Sequence, residues 1–292
     1  MKEIRGVITA MATPFDESGA VDEAAALKLA SYLLEHGSHG LVISGSTGEA
    51  PTLTDEEALV LLRAIRKEVG DEVLLVCGTG TNYTQHSIEL TSGAAEAGAD
   101  AALIVTPYYN KPNPAGIQAH FEAIADAVPG LPLIAYNIPS RVVVNVPPQG
   151  LAELAKIESV VAVKQANNEE LRPIEGLEIL AGNDDIFLKT LEIGGAGGIC
   201  VASHLVGPQM RQAWDAAQSG DMGRAREIDS GLRTVYAAMG VTTNPIPLKA
   251  ALEMTGLIPS GKLRLPLVPA DAEQRATVRA ALESVGLTSV AP

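Results

Sequence analysis

One of a series of short apolar runs in the chain ends VVAVK, and the lysine that closes it, Lys164, is the most unusual charge placement in the sequence. A strand-end lysine can snorkel its ammonium to solvent. In a dry site the charged form of an amine is disfavoured, and a neutral amine adds to a carbonyl and forms a Schiff base. The run before it ends IAYNIPSR. Its Tyr136 falls one strand over from Lys164, and neighbouring strands lie about 4.8 Å apart, so the phenol is within reach of the amine. That tyrosine either packs in the core with its hydroxyl on a carbonyl or moves protons during imine formation and aldol addition. Arg141, just beyond, is either a solvated loop charge or a clamp for a substrate carboxylate. An earlier run ends ISGSTGE, where Gly45, Ser46, Thr47 and Gly48 offer two hydroxyls and successive backbone N–H groups. Such a turn suits a carboxylate or a developing oxyanion, and is also ordinary turn chemistry.

Other chemistries have less to build on. The five histidines (His36, His39, His86, His120, His204) show no metal-ligand spacing and no Cys/His cluster exists, so no metal is expected. Cys77 and Cys200 each lie inside an apolar run and read as buried free thiols. Lys+Arg 21 against Asp+Glu 35 gives a net charge of −14, which repels phosphate backbones and anionic membranes. Nucleic acid and membrane are therefore not expected partners. Apolar runs stay strand-length, short of a signal segment or a span, so a soluble cytoplasmic protein is the expectation.

The elements that must position Lys164 recur along the chain. Eight apolar, β-branched runs at 6–12, 40–44, 73–77, 101–105, 131–136, 160–164, 178–181 and 198–202 alternate with segments of helical period, including 54–69, 114–127 and 169–176. Thr54 and Glu57 form a capping-box pattern, and glycines in HGSHG, EAGAD and IGGAGG stop helices. Strands apolar throughout are buried on both faces and therefore parallel. Eight parallel β/α units predict a TIM (β/α)8 barrel, whose reactive groups lie at the C-terminal ends of the strands. A doubly wound sheet is the alternative, but no dinucleotide fingerprint follows the first strand. The spacing predicts helices at 209–218, 222–239, 247–255 and 272–285. The first completes a barrel domain over 1–220 and the rest form a C-terminal helical appendage over 221–292.

Taken in order and spacing, GSTGE, TPYYNKP, YNIPSR, VKQA, AGNDD and NPIPLK resemble the dihydrodipicolinate synthase/N-acetylneuraminate lyase family, class I aldolases on a TIM barrel. The likeness covers essentially the whole chain and is closer to the synthase branch. It implies Lys164 as the Schiff-base lysine and Tyr136 as proton donor and acceptor. Thr47 would bind the pyruvate carboxylate, and Ser46 and Tyr109 would complete a proton relay, Tyr109 reaching a neighbouring subunit across a tight dimer. Gly182 and Ile199 would line the pyruvate pocket, and Arg141 would receive the carboxylate of L-aspartate-4-semialdehyde. A homotetramer built as a dimer of dimers, and a place in diaminopimelate and lysine biosynthesis, are implied as well, and no cofactor is implied, because the imine itself serves as the electron sink. Lyases or dehydratases acting on sialic acid or 2-keto-3-deoxy sugar acids are the competing reading within the family. Three features depart from the synthase pattern. Ser46 replaces the usual threonine. Gln165 and Asn168 stand where Glu and Gly are common, the KQ pair being lyase-like. Ala58 and His86 stand where lysine-inhibited synthases carry a His and a Glu, which implies weak lysine inhibition.

Overall fold

A computed structural model describes residues 2–287. Eight parallel strands close into a barrel in sequence order: β1 (Gly6–Ala10), β2 (Gly40–Ile43), β3 (Leu74–Gly78), β4 (Ala101–Val105), β5 (Leu133–Asn137), β6 (Val160–Gln165), β7 (Glu178–Ala181) and β8 (Gly197–Cys200). Closure is made by β8 on β1, with Ile199 beside Ile8. Around the barrel run α1 (Glu23–Glu35), α2 (Asp55–Val69), α3 (Thr84–Glu96), α4 (Pro114–Ala127), α5 (Pro139–Val142), α6 (Pro148–Leu154), α7 (Phe187–Glu192) and α8 (Ser203–Gln218). Four more helices follow: α9 (Met222–Ser230), α10 (Arg233–Met239), α11 (Ile246–Met254) and α12 (Ala272–Ser284). The TIM barrel with a helical C-terminal appendage, expected from the alternation of runs, is what forms.

Two separate apolar layers explain why the strands are apolar at most positions on both faces. Ile8, Val42, Val76, Ile134, Ala162 and Leu180 fill the barrel interior. Their strand neighbours, such as Val7, Leu41, Leu133, Val163 and Ile179, pack outward against the helices. Side chains alternate along a strand. On β6 this sends Ala162 inward and Val163 outward, so Lys164 is the next inward residue, at the top of the barrel.

The helix signals hold where they are local. Thr54 caps α2 with a complete capping box through Glu57, and Gly37, Gly98 and Gly194 end turns at φ 99°, 95° and 81°. Two segments differ. The 169–176 stretch is not a helix but a 3-10 turn at Asn168–Glu170 followed by an isolated bridge between Ile174 and Leu177. Pro173 supplies no N–H and disfavours a helical residue before it. The helix expected at 222–239 is two, α9 and α10, separated at Gly231.

Candidate active site

β6 and β5 are in register so that Lys164 pairs directly with Tyr136, and on its other side with Leu180 of β7. The Lys164 side chain is buried, 6% exposed. Its Nζ lies 4.3 Å from the centroid of the Tyr136 ring. Both residues line a cavity of about 480 Å³ at the C-terminal ends of the strands, within the range usual for small-molecule sites.

The turn after β2 forms another wall. Ser44 and Glu49, at φ 55° and 56°, bracket it. Glu49 N–H donates to Ser46 O and Ala50 N–H to Gly45 O, both at 3.2 Å. The N–H groups of Ser46 and Thr47 have no acceptor among the described residues. Ser46 and Thr47 both line the cavity, and Thr47 is buried. The loop after β5 carries Arg141 on the short α5, exposed at the mouth, with Nη2 donating to the Asn244 carbonyl at 3.0 Å. Gly182 follows β7 and donates its N–H to Gln165 O at 2.7 Å. A Cβ at Gly182 would fall 2.7 Å from that same carbonyl, so glycine is required by close approach.

Six of the eight residues named from the sequence thus share one cavity. Two do not. Ile199 lies in the barrel interior below it, fully buried against the other inward strand residues. Tyr109 stands on the loop after β4, 88% exposed, with φ 72°. A single chain does not bring its phenol to the cavity.

Four residues that no sequence reading singled out individually are brought to the site by the fold. Asp184 caps the end of β8: its carboxylate accepts from the N–H groups of Val201 at 2.8 Å and Ala202 at 3.1 Å. Burial raises its pKa, opposed by these hydrogen bonds and by the positive charge of Lys164. Tyr236 and Arg233 come from α10. Burial, reinforced by the charges of Asp229 and Asp184, pushes the Tyr236 phenol upward. Asn244, before α11, donates Nδ2 to Thr47 Oγ1 at 2.9 Å. AGNDD contains Asp184 and NPIPLK begins at Asn244, but the Asn244–Thr47 contact joins residues 197 apart and leaves no local signature.

The departures at Gln165 and Asn168 also find their places. Gln165 is an outward residue of β6, 2% exposed. Its Oε1 accepts from Asn137 Nδ2 at 3.1 Å and from Asn167 N–H at 2.9 Å, a buried amide network behind the barrel wall. Asn168 bridges Asn183 and Asp185 at 2.8 and 3.0 Å.

A closed parallel barrel with a buried lysine at the top of β6, faced by a strand-paired tyrosine, has the parts that Schiff-base chemistry on a TIM barrel needs. Residues 3–285 match the dihydrodipicolinate synthetase family. The chain is 46% identical over 288 residues to a 4-hydroxy-tetrahydrodipicolinate synthase of Synechococcus elongatus, covering 96% of each protein. Among solved structures it resembles a dihydrodipicolinate synthase from Cyanidioschyzon merolae with lysine bound, at TM-score 0.94 and 38% identity, over 98% of this chain and 100% of that one. It also resembles the chloride-inhibited enzyme of Acinetobacter baumannii complexed with pyruvate, at TM-score 0.93 and 35% identity, over 98% and 100%. The chain belongs to the dihydrodipicolinate synthetase family and is a lyase of that family.

Proposed function

We propose that the chain is a 4-hydroxy-tetrahydrodipicolinate synthase, joining pyruvate to L-aspartate-4-semialdehyde on Lys164. The observation that carries this is the buried Lys164 amine beside the Tyr136 ring in a cavity whose mouth holds Arg141. The amine adds to the pyruvate ketone and water leaves, giving an imine. A proton lost from the methyl carbon turns the imine into an enamine, and that carbon attacks the aldehyde. The amino group of the adduct then closes on the imine carbon and displaces Lys164, releasing the cyclic hydroxy product. The imine serves as the electron sink.

Tyr136 holds and returns protons at the amine and the new hydroxyl. Thr47 and the free N–H groups of Ser46 and Thr47 receive the pyruvate carboxylate, a backbone cradle of the kind that suits an anion. Arg141 receives the second carboxylate as a charged, multi-donor clamp. Gly182 and Ile199 shape the pocket wall and floor. Tyr109, exposed in one chain, completes the relay with Ser46 in a neighbouring copy, within a homotetramer made of two tight dimers. The barrel, to about residue 220, holds the catalytic groups, and the helical appendage of 221–292, of which 288–292 lie outside the described residues, caps it. A cytoplasmic place in lysine biosynthesis belongs with this reading. Among the described residues, no helix is long and apolar enough to cross a membrane.

Because Gln165 is engaged in the buried network with Asn137, the lyase-like KQ pair does not argue for a sugar-acid substrate. Turnover of pyruvate with aspartate semialdehyde, measured against cleavage of N-acetylneuraminate, tests the assignment. Condensation alone supports it; cleavage alone reverses it.

A further inference from the structure

We propose that Asn244 is a positioning residue that sets both carboxylate-receiving groups from outside the barrel. This rests on the roles assigned above to Thr47 and Arg141. Its side-chain Nδ2 donates to Thr47 Oγ1 at 2.9 Å, and its main-chain carbonyl accepts from Arg141 Nη2 at 3.0 Å. A hydroxyl has one proton to donate and two lone pairs to accept with. With a lone pair of Thr47 engaged by Asn244, its O–H is left to donate into the cavity, where a carboxylate would lie. Among the described residues the Thr47 hydroxyl has no other partner. Asn244 Oδ1 is buried and has no protein partner, and the residue lines the same cavity.

The placement of Asn244 is not left to a loose loop. Five residues on, Lys249 reaches back to Glu49, two residues beyond Thr47, with Nζ and Oε1 2.6 Å apart and both side chains fully buried. Lys249 Nζ also donates to Lys262 O at 2.7 Å and sits 4.0 Å from the Phe15 ring centroid. The segment 244–249 is thus fastened to the turn 47–49 at two points. One sets the polarity of a hydroxyl, and the other fixes the distance over which it acts.

Asparagine and aspartate differ here in the sign of the hydrogen bond. A carboxylate at 244 accepts, so it would draw the Thr47 O–H toward itself and turn it away from the substrate. The test measures KM for pyruvate and kcat in Asn244→Ala, Asn244→Asp, Thr47→Val and the double variant Thr47→Val/Asn244→Ala. Each protein is also trapped with borohydride over a range of pyruvate concentrations. The expected result is a rise of about tenfold in the pyruvate KM and in the half-trapping concentration for Asn244→Ala, the scale of one hydrogen bond to a charged group. Asn244→Asp rises further, kcat at saturation changes less than KM, and the Asn244→Ala effect vanishes in the Thr47→Val background because the two residues act as one unit. Unchanged half-trapping in Asn244→Ala, or full additivity with Thr47→Val, overturns the inference while wild-type trapping keeps the Schiff-base reading intact. A wild-type protein that traps no pyruvate removes both.

Discussion

Lys249 and Glu49 form an ion pair with 2.6 Å between Nζ and Oε1, and neither side chain reaches solvent. The pair joins α11 to the end of the turn after β2, where Glu49 holds a left-handed backbone at φ 56°. Glu49 Oε2 also accepts from Arg264 N–H at 3.1 Å, and Arg264 pairs with Glu57 at the start of α2. Burial pulls the Lys249 pKa down to about 8 against the opposing attraction of Glu49. Removing one member leaves the other as an uncompensated buried charge, which costs about 3–5 kcal/mol, whereas replacing both with apolar groups is often neutral. Glu49→Gln and Lys249→Met are therefore each expected to lower the denaturant midpoint strongly, and the double Glu49→Met/Lys249→Met variant to recover most of the loss. Single variants as stable as wild type would show that the pair holds nothing together.

Acid should destabilise the fold in a defined window. His204 accepts from Ala12 N–H at Nε2, 3.1 Å, with Nδ1 2.8 Å from Val201 O, so its ring is held neutral. Burial lowers the pKa of His204, His120 and His39 each to about 4. The unfolded chain takes up these protons from about pH 6.5 downward, while the native state does not until about pH 4. Between those values the unfolded state binds more protons, so stability rises with pH and falls on acidification, by about 1.4 kcal/mol per pH unit for each proton. Unfolding free energies measured at pH 7, 5.5 and 4.5 should decline steadily, and His204→Phe should flatten part of that slope. A free energy independent of pH across this range contradicts the neutral buried rings.

Tyr136 is the only side chain strand-paired to Lys164 that carries a proton to exchange. Tyr136→Phe keeps the ring beside the amine and removes only the hydroxyl. Its turnover is expected to drop by about 10²-fold or more, in line with general acid–base contributions, with little change in thermal stability. Turnover near the wild-type rate takes the phenol out of the reaction.

Feedback by lysine should be weak. Ala58 is buried on α2, 5% exposed, and brings no donor or acceptor. His86 Nε2 lies 2.9 Å from Asp55 Oδ2, so its ring is already engaged within the chain. Initial rates measured across lysine concentrations are expected to show little inhibition in the sub-millimolar range. Half-inhibition there would mean that other residues recognise the amino acid.

Much of this was legible in the sequence, for reasons that differ from residue to residue. The barrel could be read because β-branched runs buried on both faces look unlike helices, and because Thr54 and the helix-stopping glycines act within a few residues. Lys164 stood out because a charge at the end of an apolar strand is costly unless it has a use. The place of Tyr136 beside Lys164 followed from strand adjacency, whereas its role in proton transfer was implied only by the family resemblance. Asn244 and Tyr236 were not legible as partners, since their contacts with Thr47 and the cavity depend on how α10 and α11 fold back over the barrel, and the hold of Asp184 on Val201 and Ala202 appears only once β7 and β8 lie side by side. The non-helical 169–176 segment shows the converse, a helical spacing overruled by the proline at 173.

The proposed activity rests on the amine of Lys164. Borohydride reduction in the presence of pyruvate, followed by mass measurement of the peptide containing Lys164, addresses it directly. The expected result is one reduced pyruvate adduct on that lysine, absent in Lys164→Ala and absent without pyruvate. A chain that turns over its substrates yet carries no adduct on Lys164 would contradict it.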